Sequence, residues 1–179
     1  MLSGEEYLID MYDEPDPSPR DREEMAALLY GGFPQYEKDP SLQGQIIIDP
    51  DWLRENMVME WFPLIGQRYV NRAMVVPLYR ALTEIASGPL MDYIKSRQCG
   101  IFCPRFIGWN SRRTLSFHAL ALAIDINWGE NSYGKPGTIR GTGIVEVFKK
   151  YGFTWGGDWS TPDDMHFQYG HKSISIPRK

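Results

Sequence analysis

The sequence predicts one α+β domain with a small sheet. Three observations carry this: helical periodicity in the middle of the chain, short strand-like runs between and after the helical stretches, and no internal repeat or low-complexity tract. At 179 residues there is material for one substantial core. The chain up to Pro19 mixes acids with Pro15, Pro17 and Pro19, whose fixed φ and missing N–H groups disfavour helix and sheet. Residues 1–20 are therefore read as an acidic, Pro-rich arm and residues 21–179 as the domain. Asp21 is placed to cap a short helix through Tyr30, which Gly31 and Gly32 stop. Residues 33–50 read as loop plus one short strand at Ile46–Ile48. Over residues 71–87, Met74, Leu78, Leu82 and Ile85 recur at helical spacing; Pro77 threatens a kink or a late start, and Gly88 and Pro89 end the element. Helical patterns follow at residues 90–97 and 142–151, the second with Ile144, Val147 and Phe148 on one stripe before Gly152. Residues 121–127 and 165–169 read as strands.

Composition narrows the function. Hydrophobic residues at 42% and charged residues at 23% fit an ordinary globular protein and exclude a wholly disordered or fibrous chain. No run of about 18 apolar residues occurs, and the first twenty residues lack the basic start and apolar middle of a signal peptide. The expectation is no membrane insertion and a chain that is cytoplasmic as made. The net charge is −4, but residues 1–24 hold nine acids against two bases, so the remainder is mildly basic. That is too little for a nucleic-acid binder, and none is expected as partner, although it suits an anionic polymer touched at one cleft. Cys99 and Cys103 are too few for a disulfide framework or a structural zinc site, and are read as reduced rather than as a local disulfide. Nothing specifies an oligomeric state.

The chemistry-bearing residues cluster around two of only three histidines, His118, His166 and His171. After His118, Leu122, Ile124 and Ile126 alternate with Ala121, Ala123, Asp125 and Asn127, giving a strand with one greasy face and one small, polar face. A carboxylate midway along such a strand is costly to bury unless it is paired or ligates a cation, so Asp125 needs a partner. His166 opens a second strand just behind Asp163 and Asp164. Catalytic zinc takes three imidazole or carboxylate ligands at about 2.0–2.2 Å and leaves a fourth position for water. His118, Asp125 and His166 would supply such a set, with Asp163 placed to take a proton from the water. The residues alone leave structural histidines as the alternative.

The order of these motifs resembles the zinc D-alanyl-D-alanine carboxypeptidase and L-alanyl-D-glutamate endopeptidase family, the VanY-like peptidases and related bacteriophage endolysins. That family carries S-x-H-x-x-G-x-A-x-D and later an acid, two residues, then His-Phe, after a Trp-Gly-Gly-Asp-Trp run. Here these are Ser116, His118, Ala123 and Asp125, then Asp163, His166 and Phe167, behind Trp155 to Trp159. The resemblance spans residues 99–168. It implies a single zinc-peptidase domain of hedgehog/D,D-peptidase-like fold, with a small antiparallel sheet packed with helices. It also implies Zn2+ held by His118, Asp125 and His166, Asp163 as general base, and Arg105 stabilising developing negative charge on the substrate. A guanidinium suits that task because it stays charged and presents a planar fork of donors.

The implied activity is hydrolysis of peptidoglycan stem peptides, of D,D-carboxypeptidase or L-Ala-D-Glu endopeptidase type, by an enzyme released to the cell wall or carried in a phage particle. The alternative is a non-catalytic zinc-binding module, as in hedgehog signalling domains with the same ligand set, for example a phage virion component. Two positions depart from the pattern: Ala121 stands for the family glycine, and Asp163 stands where many relatives have glutamate. Ser116 is expected to orient a ligand, a loop or the substrate rather than act as nucleophile. Trp155 and Trp159 either wall the cleft and bind substrate or sit in the core, whereas Trp109 leans to the surface. Arg112 and Arg113 read as a solvated loop that could touch the polymer. Asp158 and Asp164 are the decoys for Asp163, and His171 reads as an exposed tail residue.

Overall fold

The computed structural model describes Leu28, Leu29 and residues 32–170. The acidic arm, most of the helix expected after Asp21, and His171 lie outside the described residues. The expected α+β organisation is present. Its centre is a four-stranded antiparallel sheet in the order β5 (Cys99–Gly100), β6 (Ala123–Ile126), β8 (His166–Tyr169), β7 (Phe153–Trp155). Two antiparallel hairpins flank it, β1 (Tyr36–Lys38) with β2 (Ile46–Ile48), and β3 (Met57–Phe62) with β4 (Gly66–Asn71). The helices are α1 (Pro50–Asn56), α2 (Arg72–Ala86) and α3 (Ile144–Lys150). Among the described residues no helix is long and apolar enough to cross a membrane.

The helix expected over residues 71–87 forms as α2 and buries Met74, Leu78, Ala81, Leu82 and Ile85, the face its periodicity marks. Pro77 lies inside it rather than at its start. Asn71 caps it: its side-chain oxygen accepts from the Ala73 N–H at 3.0 Å, while its Nδ2 donates to the Leu120 carbonyl at 3.1 Å. One buried asparagine thus starts α2 and fastens the turn that carries His118. Helix α3, which packs against α2, lays Phe148 against Phe167 (4.4 Å between ring centroids) and edge-on to Phe153 (5.2 Å). Each such fully buried ring contributes about 2–3 kcal/mol of transfer free energy.

Several local expectations fail for identifiable reasons. Residues 90–97 form two 3-10 turns, Met91–Tyr93 and Ser96–Gln98, instead of a helix. Only Ile94 of that stretch is buried, and its backbone polar groups bond elsewhere: Asn127 Nδ2 donates to the Tyr93 carbonyl and Asn127 Oδ1 accepts from the Lys95 N–H. No element is expected between Pro50 and Asn71, yet α1 and the β3–β4 hairpin fill that span. The strand expected over residues 121–127 is trimmed to β6 because Ala121 (φ 49°) and Asn127 (φ 50°) are both left-handed. Ile124 and Ile126 are buried on one face of β6, and Ala123 and the partly exposed Asp125 occupy the other, as the alternation predicts.

The left-handed Ala121 explains why glycine suits that place: an alanine there costs about 1 kcal/mol or more because its Cβ crowds the carbonyl. Ala121→Gly is therefore expected to stabilise the protein by about 1 kcal/mol, raising the unfolding midpoint by roughly 3 °C in a thermal scan. A lower midpoint would contradict this account.

Candidate metal centre

His118 lies on a 3-10 turn, Phe117–Leu120, rather than on a strand. Ser116 caps that turn, its hydroxyl accepting from the His118 N–H at 3.3 Å. The turn is held from below by a third chain segment: the Cys103 N–H donates to the His118 carbonyl at 3.0 Å and the Ser116 N–H to the Arg105 carbonyl at 3.1 Å. Residues 104–106 are themselves stitched to the N-terminal hairpin, with Ile46 N–H to the Pro104 carbonyl and Phe106 N–H to the Gly44 carbonyl, both 3.0 Å. The approach is so close that a Cβ on Gly44 would stand 2.1 Å from the Trp109 carbonyl oxygen.

Register places the other two groups. In the sheet Gly100 pairs with Asp125 and Asp125 with His166, so these three residues form one row across β5, β6 and β8 with their Cα–Cβ directions on the same face. His118 folds over that row. Its Nε2 is 3.2 Å from Asp125 Oδ1 and 3.1 Å from His166 Nδ1, and His166 Nδ1 is 3.3 Å from Asp125 Oδ1. His118 and His166 are buried and Asp125 is partly exposed.

The second nitrogen of each ring fixes what the first one offers. His118 Nδ1 sits 2.8 Å from the Ile101 carbonyl, which can only accept, so that nitrogen carries the proton and Nε2 presents a lone pair. His166 Nε2 lies 3.1 Å from Gln168 Oε1, so its proton is there and Nδ1 presents the lone pair. Two lone pairs and a carboxylate oxygen therefore face one another within hydrogen-bond distance and share no proton among them. Such a triad is repulsive until a cation joins it. Ligand atoms about 2.0–2.1 Å from a tetrahedral ion stand about 3.3 Å apart, and the three observed edges, 3.1, 3.2 and 3.3 Å, match that spacing. The donor set fits a divalent metal of the zinc type. The Asp125 carboxyl obeys the same logic. Burial pushes it up, and it is positive charge facing its Oδ1, such as the imidazoles bring only if they take up protons there, that draws it well below the usual carboxylate range. A divalent cation at the same place acts in the same direction.

Asp163 is buried in the turn that leads into β8, where its N–H donates to the Gly156 carbonyl at 3.0 Å and its carbonyl accepts from the His166 N–H at 3.1 Å. Gly156 has to be glycine: a Cβ there would stand 2.6 Å from the Asp163 carbonyl oxygen and 3.2 Å from the His166 Cβ. The decoys separate cleanly. Asp158 is exposed and pairs with Lys149 at 2.6 Å, whereas Asp164 is fully buried, pairs with Arg140 at 2.6 Å and accepts the Gly137 N–H at 2.7 Å. The tryptophans separate as well. Trp159 packs on the His166 ring, 5.3 Å between centroids, beside the centre. Trp155, expected as a substrate contact in one of its two readings, is instead a core residue: it is 6% exposed, it donates to the Asp164 carbonyl at 2.9 Å, and the Arg140 guanidinium covers it at 4.9 Å.

Arg105 is buried, with Nη1 donating to the Phe106 carbonyl at 3.3 Å and the guanidinium 5.6 Å from the Trp109 ring centroid. Trp109 is half-buried at this contact. Cys99 and Cys103 form no disulfide, and burial pushes the Cys99 thiol up. Sequence reasoning missed Gln168, although its place two residues after His166, on the same strand face, is a readable signal. It also missed Gly156 and Trp128.

Residues 109–169 match the family model described as D-alanyl-D-alanine carboxypeptidase. That stretch contains His118, Asp125, Asp163 and His166 and leaves Arg105 outside. No curated protein and no solved structure matches the chain.

Proposed function

Since residues 109–169 carry the pattern of the D-alanyl-D-alanine carboxypeptidases, we propose that the protein is a zinc-dependent peptidase that hydrolyses the stem peptides of peptidoglycan. The observation that carries this reading is the convergence of His118 Nε2, Asp125 Oδ1 and His166 Nδ1 within 3.1–3.3 Å, with both imidazole protons turned outward. When bound there, zinc supplies Lewis acidity, acidifying water and polarising the scissile carbonyl.

The chain's own residues do the rest. Ile101 and Gln168 hold the two rings in their metal-binding tautomers. Asp163, three residues from His166 and buried in the same turn, accepts the proton of the attacking water and returns it to the leaving amine. Ser116 keeps the His118 turn in place. Arg105, anchored by its backbone to Ser116, serves developing negative charge on the substrate, and Trp159 lines the His166 side of the cleft.

The test is turnover on purified peptidoglycan by zinc-loaded protein. Asp163→Ala is expected to lower kcat by about 10³-fold, the scale of a lost general base, while retaining one zinc per chain. Unchanged turnover would overturn the base assignment. Wild-type protein that binds zinc stoichiometrically but cleaves no stem peptide would overturn the peptidase reading itself.

A further inference from the structure

The row of residues that holds Asp125 and His166 continues one strand further, to Gly100 on β5. A side chain at Gly100 would point to the same face as Asp125, because directly opposed residues of an antiparallel pair project together. That position has no side chain, and the Trp128 ring occupies the space: a Cβ on Gly100 would touch Trp128 Cζ3 at 3.5 Å. Trp128 therefore lies on the metal-centre face of the sheet, although it belongs to the loop after β6. Asn127 makes this possible. Its left-handed backbone (φ 50°) ends β6, its buried side chain grips the Tyr93 carbonyl and the Lys95 N–H, and the Trp128 N–H then donates to the Gln98 carbonyl at 3.3 Å. The Trp128 side chain is 44% exposed. The centre is thus bracketed by two indoles, Trp159 against His166 and Trp128 over Gly100.

Resting on the peptidase reading above, we infer that Trp128 is a saccharide platform: it stacks on a pyranose ring of the glycan that carries the stem peptide and sets the preference for glycan-linked substrate. Three features select a sugar as occupant. The loop backbone that carries the indole is pinned through Asn127 and the Gln98 carbonyl, so little backbone ordering is needed to present the exposed ring to C–H groups. The segments that hold its loop are polar, with Gln98 accepting from the Gly129 N–H and Lys95 paired to Glu130, which suits a hydroxyl-bearing ring rather than a lipid or an apolar protein surface. The spacing also fits. With strands about 4.8 Å apart, the β5 position lies one strand from Asp125 and two from His166, close enough for a sugar on the platform and its attached peptide at the centre to be held together.

Two measurements separate this proposal from the one it rests on. In hydrolysis assays of zinc-loaded protein, the ratio of kcat/KM for a disaccharide-linked stem peptide over the same peptide without sugar is expected to fall about tenfold in Trp128→Ala, mostly through KM, and to recover largely in Trp128→Phe. An unchanged ratio, or equal loss on both substrates, would overturn the platform. The second measurement needs no turnover: an N-acetylglucosamine tetramer titrated into zinc-loaded Asp163→Ala protein is expected to bind, and about tenfold more weakly when Trp128→Ala is added. No binding of the tetramer would overturn the saccharide assignment even if stem peptides are cleaved, whereas binding without cleavage by the wild-type protein would leave the platform standing and remove the peptidase reading.

Discussion

Zinc-loaded protein treated with a chelator is expected to lose about 10 °C from its unfolding midpoint, and Asp125→Ala protein to show no zinc dependence at all. The physical reason lies in the tautomers. With Nδ1 of His118 committed to Ile101 and Nε2 of His166 committed to Gln168, the inward atoms of both rings and the Asp125 oxygen repel one another across 3.1–3.3 Å. A cation turns that repulsion into three bonds, and a ligand at about a thousandfold over its Kd adds about 4 kcal/mol of stability. For a domain of this size each kcal/mol moves the midpoint by roughly 2–4 °C. Calorimetric scans with and without zinc, on wild type and Asp125→Ala, read this directly. Equal zinc sensitivity in the two proteins would show that the ion binds elsewhere.

Arg140→Ala is expected to destabilise the protein by about 3 kcal/mol, one of the largest costs available outside the hydrophobic core. Asp164 is fully buried, and its partner Arg140 reaches it from a side chain 38% exposed. Removing the arginine leaves a carboxylate in the interior with the Gly137 N–H as its described hydrogen-bond donor, an uncompensated charge that water cannot reach. Solvent at the arginine end keeps the cost at the low end of the range for buried pairs. The same guanidinium covers the Trp155 ring and donates to the Gly157 carbonyl at 3.1 Å, so the loop before Asp163 loosens as well. Urea titration measures the cost. Asp164→Asn/Arg140→Ala, which removes the orphaned charge, should recover part of it. An Arg140→Ala protein as stable as wild type would show that Asp164 is neutral or solvated.

The centre was more legible in the sequence than the scaffold around it, for a physical reason. A histidine followed by small residues and a carboxylate inside an apolar run is costly unless the groups find partners, and that cost shows in one dimension. Asp163 and Asp164, adjacent and alike in sequence, differ only in which neighbour closes over them, and Arg140 and Gly156 are set by tertiary contacts. Trp155 and Trp159 likewise parted only once β7 and β8 had paired. Helix α2 was readable because one face is apolar throughout; residues 90–97 were misread because Asn127, some thirty positions away, takes up their backbone groups. Trp128 escaped notice because its significance depends on the absence of a side chain at Gly100.

The hydrogen bond from the His166 N–H to the Asp163 carbonyl closes a span of four residues that carries both the proposed proton acceptor and one proposed metal ligand. On the proposed reading, base and metal ligand therefore sit on one hydrogen-bonded turn, which ties the position of one to that of the other. A single residue added between Asp163 and His166 would uncouple acid–base chemistry from coordination while the rest of the architecture stayed intact.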